Sequence, residues 1–489
     1  MRYDLAVIGS GPAGQKGAIA AAKLGKRVAL IERHMELIGG VCVNTGTIPS
    51  KTIREAILHL TGFRQRDVYG EQFRRKRHIT MKDLRRKLDQ VVRNEHNVIE
   101  DQLDRNGIDV FAGNACFADS HSLHIDGQDS GVSISADQIL IASGTKPARP
   151  KHIPFDGERV FDSDDILSLD HIPRSMIVVG GGVIGIEYGL MFATLGVRVT
   201  VIDGRKTLLE FVDREIVDSL IYHARSLGVV FRLGEHVENV ESCESGRVAV
   251  RLESQKRVIA ETVLFCAGRT GDTKELQLVK AGLEPDSRGR ISCDAEFRTE
   301  VPHIFAVGDV VGFPALASTS MEQGRKAVAH AFGQPFEPLD NVPYGLFTIP
   351  EISMVGETEE GLTEQRIPYE IGIAHFSEIA RGQIAGDHVG LLKLLCHRET
   401  RKVLGVHCIG EAATEIIHIG QAVMAFGGTI EYFTNTVFNY PTMAECYKVA
   451  AFDAISRLAW DPVKSSGIDL DVAMQAVDSA PVQAVAVTS

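Results

Sequence analysis

The sequence contains no Cys-x-x-Cys pair and no finger-like spacing among its eight cysteines (Cys42, Cys116, Cys243, Cys266, Cys293, Cys396, Cys408 and Cys446). That excludes a zinc module and a secreted disulfide framework, and it points to reduced thiols in the cytoplasm. No run of about 18 apolar residues is present, so no transmembrane helix is expected. A basic excess is missing too. The 52 Lys and Arg against 64 Asp and Glu leave a net charge of −12, and the chain as a whole is no electrostatic partner for nucleic acid. Its one dense basic run, Arg74-Arg75-Lys76-Arg77, lacks interleaved aromatics and reads as a solvated loop. No signal peptide is expected, because Tyr3-Asp4-Leu5-Ala6-Val7-Ile8 runs straight into a glycine turn. His407 and His418 lack a third ligand at a recognisable spacing, so no metal site is expected.

What the sequence does have is glycine and apolar residues in a patterned order. With 44% hydrophobic and 24% charged residues the balance is that of a globular protein, and 489 residues suggest about three domains. The 47 glycines punctuate apolar runs. The first run ends in Gly9-Ser10-Gly11-Pro12-Ala13-Gly14, and an Ala-rich segment to Leu24 leads to Arg27-Val28-Ala29-Leu30-Ile31, closed by Glu32. Strand, glycine turn, helix, strand and acid in this order predict a dinucleotide-binding unit.

The same order recurs. Met176-Ile177-Val178-Val179 leads into Gly180-Gly181-Gly182-Val183-Ile184-Gly185, a helix to Leu195, and Val199-Thr200-Val201-Ile202 closed by Asp203. First glycine and acid lie 23 positions apart in both units (32 − 9 and 203 − 180). Each unit is followed by a further strand closing on glycine, Gln138-Ile139-Leu140-Ile141-Ala142-Ser143-Gly144 and Thr262-Val263-Leu264-Phe265-Cys266-Ala267-Gly268.

One such glycine motif is a weak signal; two with matching acids are a strong one. The glycines (Gly9, Gly11, Gly14; Gly180, Gly182, Gly185) let backbone approach a pyrophosphate at a helix N-terminus, and the acids (Glu32; Asp203) accept from ribose hydroxyls. Two dinucleotide sites in one chain suggest a flavin exchanging electrons with a nicotinamide. A third segment, Ile304-Phe305-Ala306-Val307-Gly308-Asp309, reads as a strand ending on an acid suited to a ribitol hydroxyl. Between the first unit and Gly144, residues Leu84, Leu88, Val91, Val92, Val98 and Ile99 keep helical spacing, with Gly107 as a stop. From about Val342 the pattern turns to strands and helices without a glycine motif. Gly390-Leu391-Leu392-Lys393-Leu394-Leu395 and Lys402-Val403-Leu404-Gly405-Val406-His407 read as strands, and a helix from Ala413 to Phe426 stops at Gly427-Gly428.

On these segments, and on Gly39-Gly40-Val41-Cys42-Val43-Asn44-Thr45-Gly46-Thr47-Ile48-Pro49-Ser50-Lys51, Glu187 and Phe347-Thr348-Ile349-Pro350-Glu351, the chain resembles the flavoprotein disulfide reductase family up to about Trp460. This is the group of glutathione reductase and dihydrolipoamide dehydrogenase. The resemblance implies an α/β fold with two Rossmann-like dinucleotide-binding domains and a C-terminal α+β dimerisation domain. The expected division is 1–147 for the first part of an FAD-binding domain and 148–271 for an NAD(P)-binding domain. Residues 272–340 would return to the FAD domain, 341–460 would form the interface domain, and 461–489 a flexible tail. FAD is implied beside Gly40, Cys42, Gly46, Thr47, Gly113, Gly144, Gly308, Asp309 and Ala317, and a nicotinamide nucleotide beside Gly268 and Arg269. Lys51 and Glu187 are implied beside the flavin as catalytic residues, the ammonium stabilising developing charge with the carboxylate as its partner.

The departures from that family are informative. Its redox segment carries two cysteines separated by four residues; here Cys42 keeps the first place and Thr47 takes the second, and a hydroxyl forms no disulfide. In Phe438-Asn439-Tyr440-Pro441-Thr442-Met443-Ala444-Glu445 the family pattern has His before Pro, but this chain has Tyr440, a poor proton relay at neutral pH. Cys42 and Cys446 therefore read as packing residues. Both nucleotide motifs remain while the thiol chemistry is gone, a combination that resembles the soluble, Si-specific NAD(P)⁺ transhydrogenase branch of the family. The implied reaction is NADPH + NAD⁺ ⇌ NADP⁺ + NADH, ping-pong through FAD, with NAD(H) and NADP(H) as substrates and a homodimer or higher homo-oligomer as the assembly. Asp203 suits the bare ribose of NAD, and Arg205 and Lys206 suit the 2′-phosphate of NADP. A quinone-reducing NAD(P)H dehydrogenase and a non-enzymatic redox sensor use the same residues and stay open as alternatives.

Overall fold

The opening apolar run forms a strand, Arg2–Ile8, whose apolar side chains are buried because parallel neighbours flank it on both edges. The computed structural model describes residues 1–70, 73–127, 131–243 and 246–459. Gly9 turns the chain with φ +101° into the helix Pro12–Lys23, and Val28–Glu32 returns beside the first strand. Asp109–Ala112 extends this sheet on one side and Val132–Ile141 on the other. Val132–Ile141 begins six residues before the run that the apolar pattern marks, because its first half pairs antiparallel with Ser122–Asp126. Ile304–Ala306 completes the sheet by pairing with the far edge of Val132–Ile141.

The second unit repeats the plan with five parallel strands, in the order Val230–Leu233, Arg198–Asp203, Ser175–Val179, Thr262–Phe265 and Val160–Asp162. Its helix Val183–Thr194 is buried on nearly every side. It packs against the helix Thr47–Thr61, which puts Lys51 of one unit next to Glu187 of the other. A short antiparallel ribbon, Thr145–Pro147 with Arg269–Gly271, ties the two units where the chain leaves and re-enters the first.

Beyond residue 340 an antiparallel five-stranded sheet runs in the order Tyr344–Leu346, Glu351–Gly356, Val403–Gly410, Leu391–His397, Tyr369–His375. The helices Ala413–Ala425 and Glu445–Ala459 cover it. Lys393 lies inside this sheet without solvent exposure. It holds Asp213 and Glu215 at the start of the second unit's helix Arg214–Ser226, and Glu359 of its own region, at 2.6–3.1 Å. Burial alone would lower the Lys393 ammonium's pKa, but these carboxylates hold it up.

Three expectations change. The helix predicted around residues 84–99 runs from Met81 to Asp104, started by a Thr80–Asp83 capping box, and Leu84, Leu88, Ile99 and Leu103 face the core. Val98 is 48% exposed, because it sits off that stripe. The basic run 74–77 lies outside helices and strands, yet Lys76 pairs with Asp83 and Arg75 contacts the His59 ring. The final acid of Ile304–Asp309 stands in a short 3₁₀ turn, Gly308–Val311, rather than on the strand. The expected tail, 461–489, lies outside the described residues.

Candidate functional site

The two glycine turns have the same interior. A Cβ on the first glycine would lie 2.5 Å from the Ala142 carbonyl oxygen in one unit and 2.7 Å from that of Cys266 in the other. On Gly14 or Gly185 it would lie 1.9 Å from the carbonyl oxygen of Gly9 or Gly180. On Gly11 or Gly182 it would meet nothing within 4 Å. The outer glycines are therefore required by packing, and the middle one opens backbone to a ligand. Each turn is held by its acid. Glu32 accepts from the Ser10 N–H at 3.1 Å and the His34 N–H at 3.0 Å; Asp203 accepts from the Gly181 N–H at 2.6 Å and the Arg205 N–H at 2.8 Å.

The remaining partners differ. Glu32 takes the Ser10 hydroxyl at 2.6 Å, whereas Asp203 takes the Arg205 guanidinium through Nε at 3.0 Å and Nη2 at 2.8 Å. Burial would raise the Asp203 carboxyl, but the hydrogen bonds from Arg205 and Gly181 hold it below the usual range. Asp203 and Arg205, expected to serve different nucleotides separately, are thus paired with each other.

A cavity of about 340 Å³ opens over the first glycine turn. Gly9, Gly11, Glu32, Gly40, Cys42, Thr47, Gly113, Gly144, Gly308, Asp309 and Ala317 line it; Gly14 lies behind it as a packing residue. Burial pushes the Asp309 carboxyl up against the opposing pull of Arg269, and Thr145 reaches it at 3.4 Å. An acid at one end, an acid at the other and open backbone between them fit a dinucleotide that carries ribose hydroxyls, a pyrophosphate and a ribitol chain. The residues present therefore fit FAD.

A second cavity, of about 680 Å³, adjoins the first and shares Thr47, Thr145, Asp309 and Ala317 with it. Gly46, Lys51, Glu187 and Arg269 line it. Lys51 Nζ lies 2.6 Å from Glu187 Oε2 and 5.0 Å from the centre of the Phe347 ring, and the Phe347 N–H donates to Glu187 Oε1 at 2.8 Å. Arg269 is fixed by Thr145, Ser163 and Asp164 at 2.9–3.2 Å. Gly180, Gly182, Gly185, Asp203, Arg205 and Gly268 are not part of either cavity; Val183, Ile184 and Glu187, on the helix that follows the second turn, line the second one.

Burial raises the Cys42 thiol pKa against the opposing pull of the Thr47 hydroxyl, so the sulfur stays protonated at neutral pH. All eight cysteines are free thiols. Cys446 is buried in the core of the third sheet, and burial pushes its pKa up strongly. Tyr440, after which the peptide bond to Pro441 is cis, is 71% exposed on the third region's surface. Among the described residues no group of three His, Cys, Asp or Glu side chains is placed to hold a metal ion, and no helix is long and apolar enough to cross a membrane. Residues that no sequence motif marks lie at the site or behind it. An aromatic trio, Phe211, Phe313 and Tyr344, brings three chain regions together with ring centroids 4.9–6.3 Å apart; Phe313 and Tyr344 line the second cavity. Arg54, one helical turn beyond Lys51, is 4% exposed and donates to the Thr348 carbonyl at 3.0 Å. Only Lys51 has a motif around it; Arg54 follows in an ordinary helical run.

Comparison with known proteins agrees with this architecture. Residues 3–324 match the family model described as pyridine nucleotide-disulphide oxidoreductase, and residues 342–451 match the dimerisation domain of that family. A soluble pyridine nucleotide transhydrogenase of Mycobacterium bovis is 53% identical over 459 residues, covering 93% of this chain and 98% of the relative. A protein of the same name from Shigella flexneri is 46% identical over 462 residues, again 93% and 98%. Among solved structures, LpdA from Mycobacterium tuberculosis superposes with a TM-score of 0.85 at 26% identity over 92% of this chain and 99% of its own. The HOCl-induced flavoprotein disulfide reductase RclA from Escherichia coli gives 0.83 at 28%, covering 92% and 99%. With twin glycine turns, adjoining cavities and a matching third region, the chain belongs to the pyridine nucleotide-disulphide oxidoreductase family.

Proposed function

We propose that the chain catalyses NADPH + NAD⁺ ⇌ NADP⁺ + NADH as a soluble pyridine nucleotide transhydrogenase. The observation that carries this reading is Thr47 beside Cys42 in the first cavity, with Thr47 lining the second cavity as well. The place where a disulfide reductase needs a second sulfur holds a hydroxyl, so electrons entering here have no thiol route out. The identity to transhydrogenases over nearly their whole length supports the same conclusion.

Bound FAD supplies a two-electron carrier between one nicotinamide nucleotide and the next. Gly11 would present open backbone to its pyrophosphate, with Gly9 and Gly14 allowing the close turn, Glu32 would accept from a ribose and Asp309 from the ribitol, and Gly40, Cys42, Gly46, Thr47, Gly113, Gly144, Gly308 and Ala317 would shape the wall. Gly180, Gly182 and Gly185 offer the second helix N-terminus to the exchanging nucleotide, with Gly268 and Arg269 beside the second cavity. Lys51, paired with Glu187, holds a positive charge at the cavity wall, where negative charge develops on reduction. The Asp203–Arg205 pair gives one site two settings. A 2′-phosphate draws Arg205 to itself, and a bare ribose is met by the carboxylate.

The protein works as a homodimer through the region of residues 342–451, whose exposed surface includes Phe426, Val437 and Tyr440. Eight unpaired thiols support a reducing, cytoplasmic setting.

The test is direct. Purified yellow protein under anaerobic conditions transfers hydride from NADPH to a reducible NAD⁺ analogue, and NADPH bleaches the flavin with no thiolate-to-flavin charge-transfer band. Turnover with dihydrolipoamide, or reoxidation by a quinone but not by NAD⁺, would overturn the assignment.

A further inference from the structure

Helix Thr47–Thr61 carries two inward cations three residues apart, Lys51 and Arg54. Both work on the segment 347–351 of the third region. Lys51 meets Glu187, whose other oxygen is held by the Phe347 N–H at 2.8 Å. Arg54 Nε meets the carbonyl of the very next residue, Thr348, at 3.0 Å. The Arg54 guanidinium is itself fixed by Glu55 at 2.7 Å and Glu351 at 3.3 Å, and Glu351 is tied to the Thr414 hydroxyl at 2.7 Å. Arg54, Glu187, Thr348 and Glu351 are all buried. A buried carboxylate depends on every donor it has, so the Phe347 N–H sets how much of the Glu187 charge is left for Lys51.

We infer that Arg54 is a positioning residue for the reaction: by clamping the Thr348 carbonyl it holds the Phe347 N–H on Glu187, and so fixes the position and charge balance of the Lys51–Glu187 pair at the cavity wall. The inference rests on the reading that this pair faces the flavin. Arg54 touches neither cavity of the reaction; its outer side borders a separate one of about 530 Å³. It acts through the backbone, and that separates positioning from plain charge. Removing the clamp weakens the donor to Glu187, leaves more negative charge beside the flavin and makes reduction harder. Removing the Glu187 charge has the opposite sign.

The experiment measures the flavin midpoint potential of the holoenzyme by anaerobic equilibration with a reference dye, for Arg54→Lys, Arg54→Met, Glu187→Gln and the pairwise combinations. Arg54→Met is expected to lower the ratio of reduced to oxidised flavin about tenfold at fixed potential, about 30 mV for a two-electron couple. Arg54→Lys keeps the charge but loses the Nε–carbonyl bond, and is expected to behave like Arg54→Met. Glu187→Gln shifts the potential upward, and in its background the Arg54 changes shift it by less than a third as much. If Arg54→Met does not fold, Arg54→Lys with Glu351→Gln gives the same cycle. A normal potential in Arg54→Lys, or an undiminished Arg54 shift beside Glu187→Gln, overturns the inference while leaving Lys51 and Glu187 in place. No shift in Glu187→Gln alone sinks the reading of the pair, and the inference with it.

Discussion

Glu32 and Asp203 end equivalent strands and accept equivalent pairs of backbone N–H groups, yet one is completed by a serine hydroxyl and the other by a guanidinium. The surroundings differ in the same sense. The first turn is walled by residues 33–47, by the ribbon strand Thr145–Pro147 and by Asp309, which returns from far along the chain. The second turn lies outside both cavities, and a Cβ on its Gly181 would lie 2.3 Å from the Leu208 side chain. One dinucleotide plan thus carries different surroundings in the two units, which the proposed function assigns to a retained flavin and an exchanging nucleotide. The retained group needs no more than hydrogen-bond matching at its ribose, whereas the exchanging site must accept nucleotides that differ by a phosphate.

That contrast can be broken by experiment. Gly11→Val fills the open side of the first turn and is expected to cost at least about 100-fold in flavin affinity, about 2.7 kcal/mol. Gly182→Val does the same to the second turn, and is expected to leave a yellow protein that NADPH no longer bleaches. Flavin-to-protein absorbance separates the two, and loss of colour in Gly182→Val would end the division of labour. Next in size, Lys51→Met should slow flavin reduction by NADPH about 10- to 100-fold in stopped flow, with little change in nucleotide affinity.

Arg205→Ala is expected to raise KM for NADPH about tenfold, the worth of one charge-assisted contact, and KM for NADH less than about twofold. It also changes acid stability. The Asp203 carboxyl sits below its usual range in the folded chain, so its contribution is complete above the unfolded value near ~3.9 and is lost as pH falls through the folded one. Without Arg205 that carboxyl rises, and the acid-unfolding midpoint should move to higher pH. A midpoint that stays put would show that the guanidinium is not what depresses it. The smallest effect belongs to Cys42→Ser: with no partner sulfur and a thiol held protonated, transhydrogenation should stay within about twofold.

Much of the site was legible because it is written locally. Gly9 to Glu32 and Gly180 to Asp203 each contain a complete strand–turn–helix–strand unit, and Gly308-Asp309 and Lys51 are embedded in long recognisable segments. Contacts made across the chain were not legible. Arg54 reads as one polar residue in a helix, and only its meeting with Thr348, 294 positions later, gives it a task. Lys393 lies amid leucines in a strand, where alternation alone says nothing of burial; its enclosure comes from carboxylates of the second unit. The Asp203–Arg205 pairing needed side-chain geometry, since adjacent opposite charges can equally point apart. Val98 keeps helical spacing with the apolar residues around it, but next to the buried Ile99 it falls off the core-facing stripe and lies in solvent.

The ribbon that ties the two units has a consequence for how the chain is made. Because the second unit is threaded through the first, Ile304, 163 positions beyond Ile141 (304 − 141), docks against Val132–Ile141 only after the intervening chain has been synthesised. Until then that strand presents an unpaired edge on the ribosome, and the pocket floor that ends in Asp309 does not exist. The inserted unit, whose five-stranded sheet draws all its strands from its own segment, is positioned to form before that edge is paired, and prosthetic-group capture becomes a late event in biogenesis.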